Sequence, residues 1–119
     1  MCFVIEKGQE KPYIASKDIR CYKVMTREAG HYFRSRFQHF QYETGVVYRR
    51  PFQIKLSKPR HFGDVINVGY HSYRSKAYAE KCCSHPQDVV VRCTIPKGTL
   101  FFKGKLEYVS NGIKVENVI

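Results

Sequence analysis

The chain has 119 residues, with 21 Lys or Arg against 10 Asp or Glu, and its formal net charge is +11. A hydrophobic content of 43% excludes an intrinsically disordered chain and predicts a single folded domain over residues 1–119. No apolar run approaches the roughly 20 residues of a membrane-spanning helix, and no basic stretch followed by an apolar one opens the sequence, so we expect a cytoplasmic protein.

The first half of the chain predicts short strands joined by loops. Alternating apolar and polar residues favour strands at 18–25 and 46–48, and a short apolar run favours another at 3–5. Polar residues and prolines predict loops over 8–17 and 49–63.

Residues 31–42 allow two predictions. Phe33, Phe37 and Phe40 recur at the spacing of one helical face. The same aromatic content also favours a strand or an irregular packed segment, so the sequence leaves the choice open.

The second half of the chain gives clearer signals. Residues 65–70 predict a strand, and the alternation over 89–95 is typical of a half-buried strand. Between them, Ser72 or Ser75 is suited to cap a short helix that runs to about Cys83.

The C-terminal segment predicts further strands. A turn at 96–98 leads into a strand at 100–103, and Asn-Gly at 111–112 predicts a β-hairpin between 107–109 and 113–115. The sum of these elements predicts an α+β fold, with a largely antiparallel twisted sheet and one or two short helices.

The five cysteines predict reduced thiols rather than disulfides, because their number is odd and no signal sequence precedes them. Neither a metal site nor a cofactor is expected, since the chain has no Cys-x-x-Cys spacing and no phosphate-binding glycine loop. Cys21 and Cys93 lie in apolar runs and are predicted to be small core residues.

Basic residues are concentrated in residues 20–60, where ten Lys or Arg stand against two Glu and leave a local net charge of +8. Seven of the ten are Arg, and the same window holds eight of the 17 aromatic residues. Cations that follow a phosphate backbone and rings that stack on unpaired bases are typical of proteins that bind single-stranded RNA.

The sequence therefore predicts a binding surface for RNA or for an RNA-guided nuclease. An acidic protein surface is the other partner that this charge allows. The candidate cations are Arg34, Arg36, Arg49, Arg50, Lys55, Lys58 and Arg60, and the candidate stacking rings are Tyr32, Tyr48 and Phe52.

An enzymatic alternative rests on the five histidines. His31 or His39, together with His71 and an arginine, could supply the base, acid and cation of a metal-independent RNase. Nothing in their spacing fixes that geometry, and the carboxylates are too scattered for metal-dependent phosphoryl chemistry. The sequence favours a binding protein and leaves catalysis open.

Three segments together resemble a known group of proteins. CYKVM at 21–25, VGYHSYRSKAYAEK at 68–81 and VVVRCTIPKGTLFFKG at 89–104 resemble short uncharacterised proteins encoded by Bacteroidetes-type bacteria and their phages. This resemblance covers most of the chain and implies a bacterial host cell, but it brings no activity with it. In size and charge the chain is also similar to the anti-CRISPR inhibitors of phages, which implies an inhibitor of an RNA-guided nuclease.

The order of elements resembles, more remotely, a reduced ADP-ribosyltransferase core. That resemblance implies an early strand with Arg or His, a middle motif before a helix, and a late strand with the catalytic Glu. The Glu-x-Glu or Gln-x-Glu motif of such enzymes is not present. The residues implied here are Arg20, then His71, Ser72 and Tyr73, and then Glu107 or Glu116.

Overall fold

The structure is a computed structural model, and it describes residues 3–4, 12–27, 32–35, 41–50, 53–55 and 65–119. These residues form thirteen strands and one helix, α1, over Lys76–Lys81. The strands are β1 Phe3–Val4, β2 Tyr13–Ile14, β3 Ile19–Arg27, β4 Tyr32–Ser35, β5 Gln41–Glu43, β6 Val47–Arg49, β7 Gln53–Lys55, β8 Val65–Val68, β9 Tyr70–Tyr73, β10 Asp88–Ile95, β11 Leu100–Lys103, β12 Glu107–Ser110 and β13 Gly112–Val118.

All strand pairs are antiparallel, and they form two sheets. The smaller sheet has the order β1-β8-β7, and the larger has the order β2-β11-β12-β9-β3-β10-β13-β6, with β4 paired to β3 and β5 paired to β4. The predicted antiparallel sheet is confirmed, but the fold is mostly β rather than clearly α+β, because the described residues contain thirteen strands and one short helix. No helix among the described residues is long and apolar enough to cross a membrane.

A bend at Asn111 rolls the larger sheet up on itself. Asn111 alone separates β12 from β13, yet β9, β3 and β10 lie between these two strands in the sheet. In a flat sheet the two strands would be about 19 Å apart, whereas two residues span at most about 7 Å. The sheet must therefore curl until β12 and β13 meet, which gives it a concave inner face and a convex outer face.

Backbone hydrogen bonds on both sides hold this bend in place. The amide of Asn111 donates to the carbonyl of Leu100 at 3.1 Å, and the carbonyl of Asn111 accepts from the amide of Arg50 at 2.8 Å. The hydroxyl of Ser110 donates to the carbonyl of Gly112 at 2.8 Å. Asn111 is thus hydrogen-bonded both to β11 and to the residue that follows β6.

The inner face holds the main hydrophobic core. Cys21 and Cys93 are direct partners across β3 and β10, Val115 is the next partner on β13, and all three side chains are fully buried. Residues directly opposite each other in an antiparallel pair point to the same face, so this row defines the inner side. The predicted role of the two cysteines as core residues is confirmed.

The outer face is covered over part of its area. Helix α1 packs Ala79 against Val24 of β3 and Val90 of β10. On β11 and β12 the outer-face side chains of Phe102 and Val109 are also fully buried. The part of the outer face that stays open is formed by the first half of β3, the second half of β10, the first half of β13 and β6.

Several predicted elements are confirmed. Strands occupy 3–4, 19–27, 47–49, 88–95 and 100–103, close to their predicted bounds. The helix is capped by Ser75, whose Oγ accepts from the amide of Tyr78 at 3.1 Å, and not by Ser72, which lies inside β9. Ser75 has the extended backbone that an N-cap requires.

Other predictions are wrong. Tyr13–Ile14 and Gln53–Lys55 form strands in segments for which the sequence predicts loops. For the segment 31–42, where the sequence leaves helix and strand open, the strand alternative is confirmed in Tyr32–Ser35 and Gln41–Glu43, while residues 36–40 lie outside the described ones. Residue propensities and the positions of proline and polar residues do not reveal such short strands, because their pairing partners lie far away in sequence.

The prediction of a hairpin at Asn-Gly 111–112 is also wrong, although both of its strands are present. β12 pairs with β11 and β9, and β13 pairs with β10 and β6, so the chain bends between two sheet positions instead of folding back. The predicted strand over 65–70 is likewise two strands, because the chain passes from the smaller sheet to the larger one at Gly69. The φ of Gly69 is 153°, which glycine adopts readily.

Truncation on the inner face should cost far more stability than truncation on the open part of the outer face. Ile113 is fully buried, so we expect Ile113→Ala to lower the free energy of unfolding by about 2–5 kcal/mol through the cavity that it leaves. Val47 lies on β6 with 42% of its surface exposed, and we expect Val47→Ala to change stability by less than about 0.5 kcal/mol. Urea unfolding measures both; equal losses would contradict the assignment of the two faces.

Candidate nucleic-acid interface

A row of side chains crosses four strands on the open part of the outer face. Arg20 of β3 is paired with Thr94 of β10, Thr94 with Lys114 of β13, and Lys114 with Val47 of β6. Direct partners share a face, and this row alternates with the buried row of the inner face. Arg20 and Val47 are exposed, and the other two are partly exposed.

Two further arginines flank the row on the same face. Arg92 lies two residues before Thr94 on β10, and Arg49 lies two residues after Val47 on β6. Residues two apart in a strand point to the same side. A guanidinium nitrogen of Arg49, Nη1, lies 3.3 Å from the position that a Cβ on Gly112 would take. Glycine at the bend therefore leaves room for this guanidinium against the sheet.

We call Arg20, Arg49, Arg92 and Lys114 the outer basic face. None of these four cations forms an ion pair with a carboxylate in the part of the chain that the structure describes. Two acids lie nearby: Asp18, which accepts the backbone amide of Lys97 at 2.9 Å, and Glu116, which follows Lys114 by two residues on β13 and precedes Asn117, the partner of Arg92. The four cations outnumber these acids, so the outer basic face carries a net positive charge.

Other basic residues have structural partners. Lys76 pairs with Glu80 on the exposed side of α1 at 3.7 Å. Arg74 donates to the carbonyls of Gly104 and Lys105 at 2.9 and 3.2 Å and so holds the turn between β11 and β12. These contacts separate the cations that support the fold from those that face solvent.

Lys23 shows that the basic window of the sequence is not one surface. Its side chain points to the inner face, where the ammonium donates to the backbone carbonyl of His71 and lies 5.6 Å from the centre of the Tyr42 ring. Burial lowers the pKa of Lys23, and the neighbouring thiols of Cys21 and Cys93 oppose that shift. This cation belongs to the core and is not available to a partner.

The predicted binding residues fall on different faces. Arg49 is exposed on the outer basic face. Arg50 follows it and lies close to the inner-face rings of Tyr42 and Tyr70: burial raises the pKa of Tyr42, and Arg50 opposes the rise. Neighbouring residues of an extended chain point to opposite sides, so Arg49 and Arg50 do not act on one ligand face.

Arg34 and Tyr48 are separated from this site as well. Arg34 is paired with Thr26, six residues along β3 from Arg20, which places the two arginines about 20 Å apart. The ring of Tyr48 packs against the inner core and lies 5.2 Å from the Tyr42 ring, and its hydroxyl accepts the amide of Glu43 at 2.8 Å. A stacking role for Tyr48 stays a prediction.

The remaining predicted binding residues are described in part or not at all. Tyr32 lies in β4 and Lys55 in β7, and the structure describes only their backbone. Four others lie outside the described residues: Arg36, Phe52, Lys58 and Arg60.

The residues implied by the ADP-ribosyltransferase resemblance do not converge. Tyr73 is paired with Tyr22 on β3, so Arg20 lies beyond the end of β9, and His71 lies near Val24, about 13 Å from Arg20 along the strand. Glu116 lies on β13, three strand spacings or about 14 Å from β9. The carboxylate that does lie opposite Tyr73 is Glu107 on β12, whose pKa is raised by burial.

His71 is held in its neutral form. Neither ring nitrogen has a hydrogen-bond partner among the described residues, and both are enclosed. Burial first, and the charge of Lys23 second, lower the pKa of His71 to about 4. An enclosed imidazole without a partner is poorly placed to exchange protons with a substrate, so this geometry does not favour the RNase alternative.

The sequence did not single out two members of the outer basic face, Arg92 and Lys114. A signal was present, because Arg92 alternates with the apolar residues of β10, and Lys114 alternates with Ile113 and Val115 of β13. That pattern places both on the polar side of their strands, but only the register shows that the two strands are neighbours. Sequence reasoning could therefore find each residue without joining them into one site.

Comparisons with known proteins add no relative. No family model, no curated protein and no solved structure matches the chain. Among the described residues no group of three or more His, Cys, Asp or Glu side chains could hold a metal ion. The candidate site therefore rests on its own geometry and charge.

The buried neutral His71 should make stability depend on pH. Its ordinary pKa of 6.5 applies to the unfolded chain and falls to about 4 in the fold, so between these values the unfolded state binds a proton that the folded state does not. Lowering the pH from 6.5 to 4 should therefore cost at most about 3 kcal/mol of stability. Urea unfolding at a series of pH values should show this loss in the wild type and not in His71→Gln.

The matched control is His85→Gln, because His85 is an exposed histidine in the turn before β10. We expect this variant to lose stability with falling pH as the wild type does. A His71→Gln protein with the pH dependence of the wild type would contradict the buried neutral state of His71.

Proposed function

We propose that this protein is a non-enzymatic basic binding module that engages RNA, either free or held in a ribonucleoprotein such as an RNA-guided nuclease. The observation that carries the proposal is the outer basic face, where four cations share one open side of the sheet without a carboxylate partner in the described part of the chain. Phosphate groups supply the missing negative charge.

The residue types on this face support phosphate as the ligand group. Three of the four cations are arginines, whose planar guanidinium matches two phosphate oxygens at once and remains charged at every physiological pH. A ligand that needs only a point charge would be served equally by lysine. The net charge of +11 also attracts polyanions over long range and accelerates their association.

The non-enzymatic part of the proposal is supported by the separation of the candidate catalytic groups. Arg20, His71 and Glu116 lie on different parts of the sheet, and the imidazole of His71 is enclosed. A nuclease or a transferase would need such groups within hydrogen-bond reach of one substrate atom. An inhibitor of an RNA-guided nuclease needs no such convergence of catalytic groups, because it acts by occupying the nucleic-acid channel of the nuclease.

Removing one cation of the outer basic face should weaken RNA binding and its salt dependence together. We expect Arg49→Gln to bind labelled RNA more weakly than the wild type at low salt. The slope of log affinity against log salt concentration should fall by about 0.7 for each phosphate of a single strand that the variant no longer neutralises. Lys105→Gln removes the same charge from the exposed turn between β11 and β12 and should leave both quantities near their wild-type values.

A capture experiment separates the partner classes. The tagged protein is incubated with bacterial lysate, with and without RNase, and the retained RNA and protein are identified. We expect RNA, alone or with an RNA-guided nuclease, in the untreated sample and its loss after RNase or in Arg49→Gln. The proposal would be overturned if the protein retained only an acidic protein, in equal amounts with and without RNase. It would also be overturned if, in a separate incubation with labelled NAD, the protein transferred the label to lysate proteins.

A further inference from the structure

The outer basic face has a direction as well as a charge. Its row of Arg20, Thr94, Lys114 and Val47 runs across the strands, one residue per strand. Neighbouring strands are about 4.8 Å apart, so the cationic groups of Arg20 and Lys114 start from positions about 10 Å apart and the whole row spans about 14 Å. Arg92 lies about 7 Å to one side of the row, along β10.

The row follows a curved direction of the sheet. The sheet rolls so that β12 and β13 meet, and a line across the strands therefore runs around the roll. The outer face is convex along this line. A straight, stiff duplex placed along the row would contact its centre and separate from its ends, while a flexible single strand can bend to follow it.

We infer that the outer basic face binds single-stranded RNA, whose backbone crosses β3, β10, β13 and β6 in turn. The inference rests on the proposed function and goes beyond it, because it names the form of the ligand, its path and two residues that the sequence did not single out, Arg92 and Lys114. The phosphates lie over Arg20, Lys114 and Arg49.

The side chain of Arg92 is partly enclosed by the fold. Its Nε is enclosed and has no hydrogen-bond acceptor in the described part of the chain. The enclosure holds the base of the guanidinium against the sheet, which reduces the side-chain entropy that binding an anion would otherwise remove. This enclosure favours Arg92 as a preorganised cation of the outer basic face.

Uncharged residues beside the cations provide contacts for bases. Tyr22 is the direct partner of Arg92 and is half-buried on the same face, next to the cluster under α1. Val47 is exposed at the other end of the row, and the hydroxyl of Thr94 lies between the two cations. A ring, an apolar side chain and a hydroxyl beside a cationic row suit unpaired bases, which a duplex would keep stacked inside.

The test compares single-stranded and duplex RNA on the same protein. Fluorescence anisotropy is measured with a labelled oligouridylate of about 12 nucleotides, within the roughly 4–16 nucleotides that one oligonucleotide-binding β-domain covers, and with a duplex RNA of the same length. The variants are Arg20→Gln/Lys114→Gln and, as a control with the same loss of charge, Lys81→Gln/Lys105→Gln. Both control residues are exposed and lie away from the row.

We expect tighter binding to the single strand than to the duplex. The salt slope should fall by about 0.7 for each phosphate that Arg20→Gln/Lys114→Gln no longer neutralises, and it should stay unchanged in the control pair. Equal or tighter binding to the duplex would overturn the inference of a single strand and leave the proposed function standing. Equal slope changes in the two double variants would overturn the location. Failure to bind either oligonucleotide overturns this inference, whereas the proposed function is tested separately, by the lysate capture.

Circular dichroism and thermal unfolding accompany the titrations. Arg20 is exposed and Lys114 is half-exposed, so both double variants should unfold at temperatures close to that of the wild type. If Arg20→Gln/Lys114→Gln were unstable, Arg20→Gln alone would carry the test, with Lys105→Gln as its control.

Discussion

The bend at Asn111 is the constraint on which the rest of the structure depends. A single residue joins strands that lie four positions apart in the sheet, so the sheet cannot be flat. Backbone hydrogen bonds from Asn111 to Leu100 and Arg50 tie the bend to strands on either side. The resulting roll gives one face a buried hydrophobic core and the other a convex surface, and it thereby determines where each alternate residue of a strand can act.

This division explains why residues of the same type have different roles. Lys23 and Arg20 are three residues apart on β3, yet the ammonium of Lys23 is enclosed beside Tyr42 while Arg20 is exposed. Arg49 and Arg50 are neighbours, yet only Arg49 lies on the outer basic face. The lowered pKa of Lys23 reflects the cost of placing a charge in the interior. The net charge of the chain is thus divided between a structural part and a part available to a partner.

Sequence reasoning succeeded where a signal was local and failed where it depended on pairing. The alternation in 89–95 and the serine at the start of α1 are local properties, and both gave the correct element. The Asn-Gly at 111–112 is also a local signal, but tertiary pairing places its flanking strands four positions apart in the rolled sheet. The Phe spacing in 31–42 failed as a helix signal because β4 gains its hydrogen bonds from β3, which no local pattern reveals.

By itself, the sequence determined the net charge and the abundance of strands. It also indicated that Cys21 and Cys93 are core residues and that Arg49 is a candidate binding cation. Only the tertiary structure decided which cations share a surface. It separated Arg34 and Arg50 from Arg49 and joined Arg49 to Arg92 and Lys114. The physical reason is that the side to which a strand residue points follows from alternation along the chain, whereas its neighbours across the sheet follow from a register set by contacts distant in sequence.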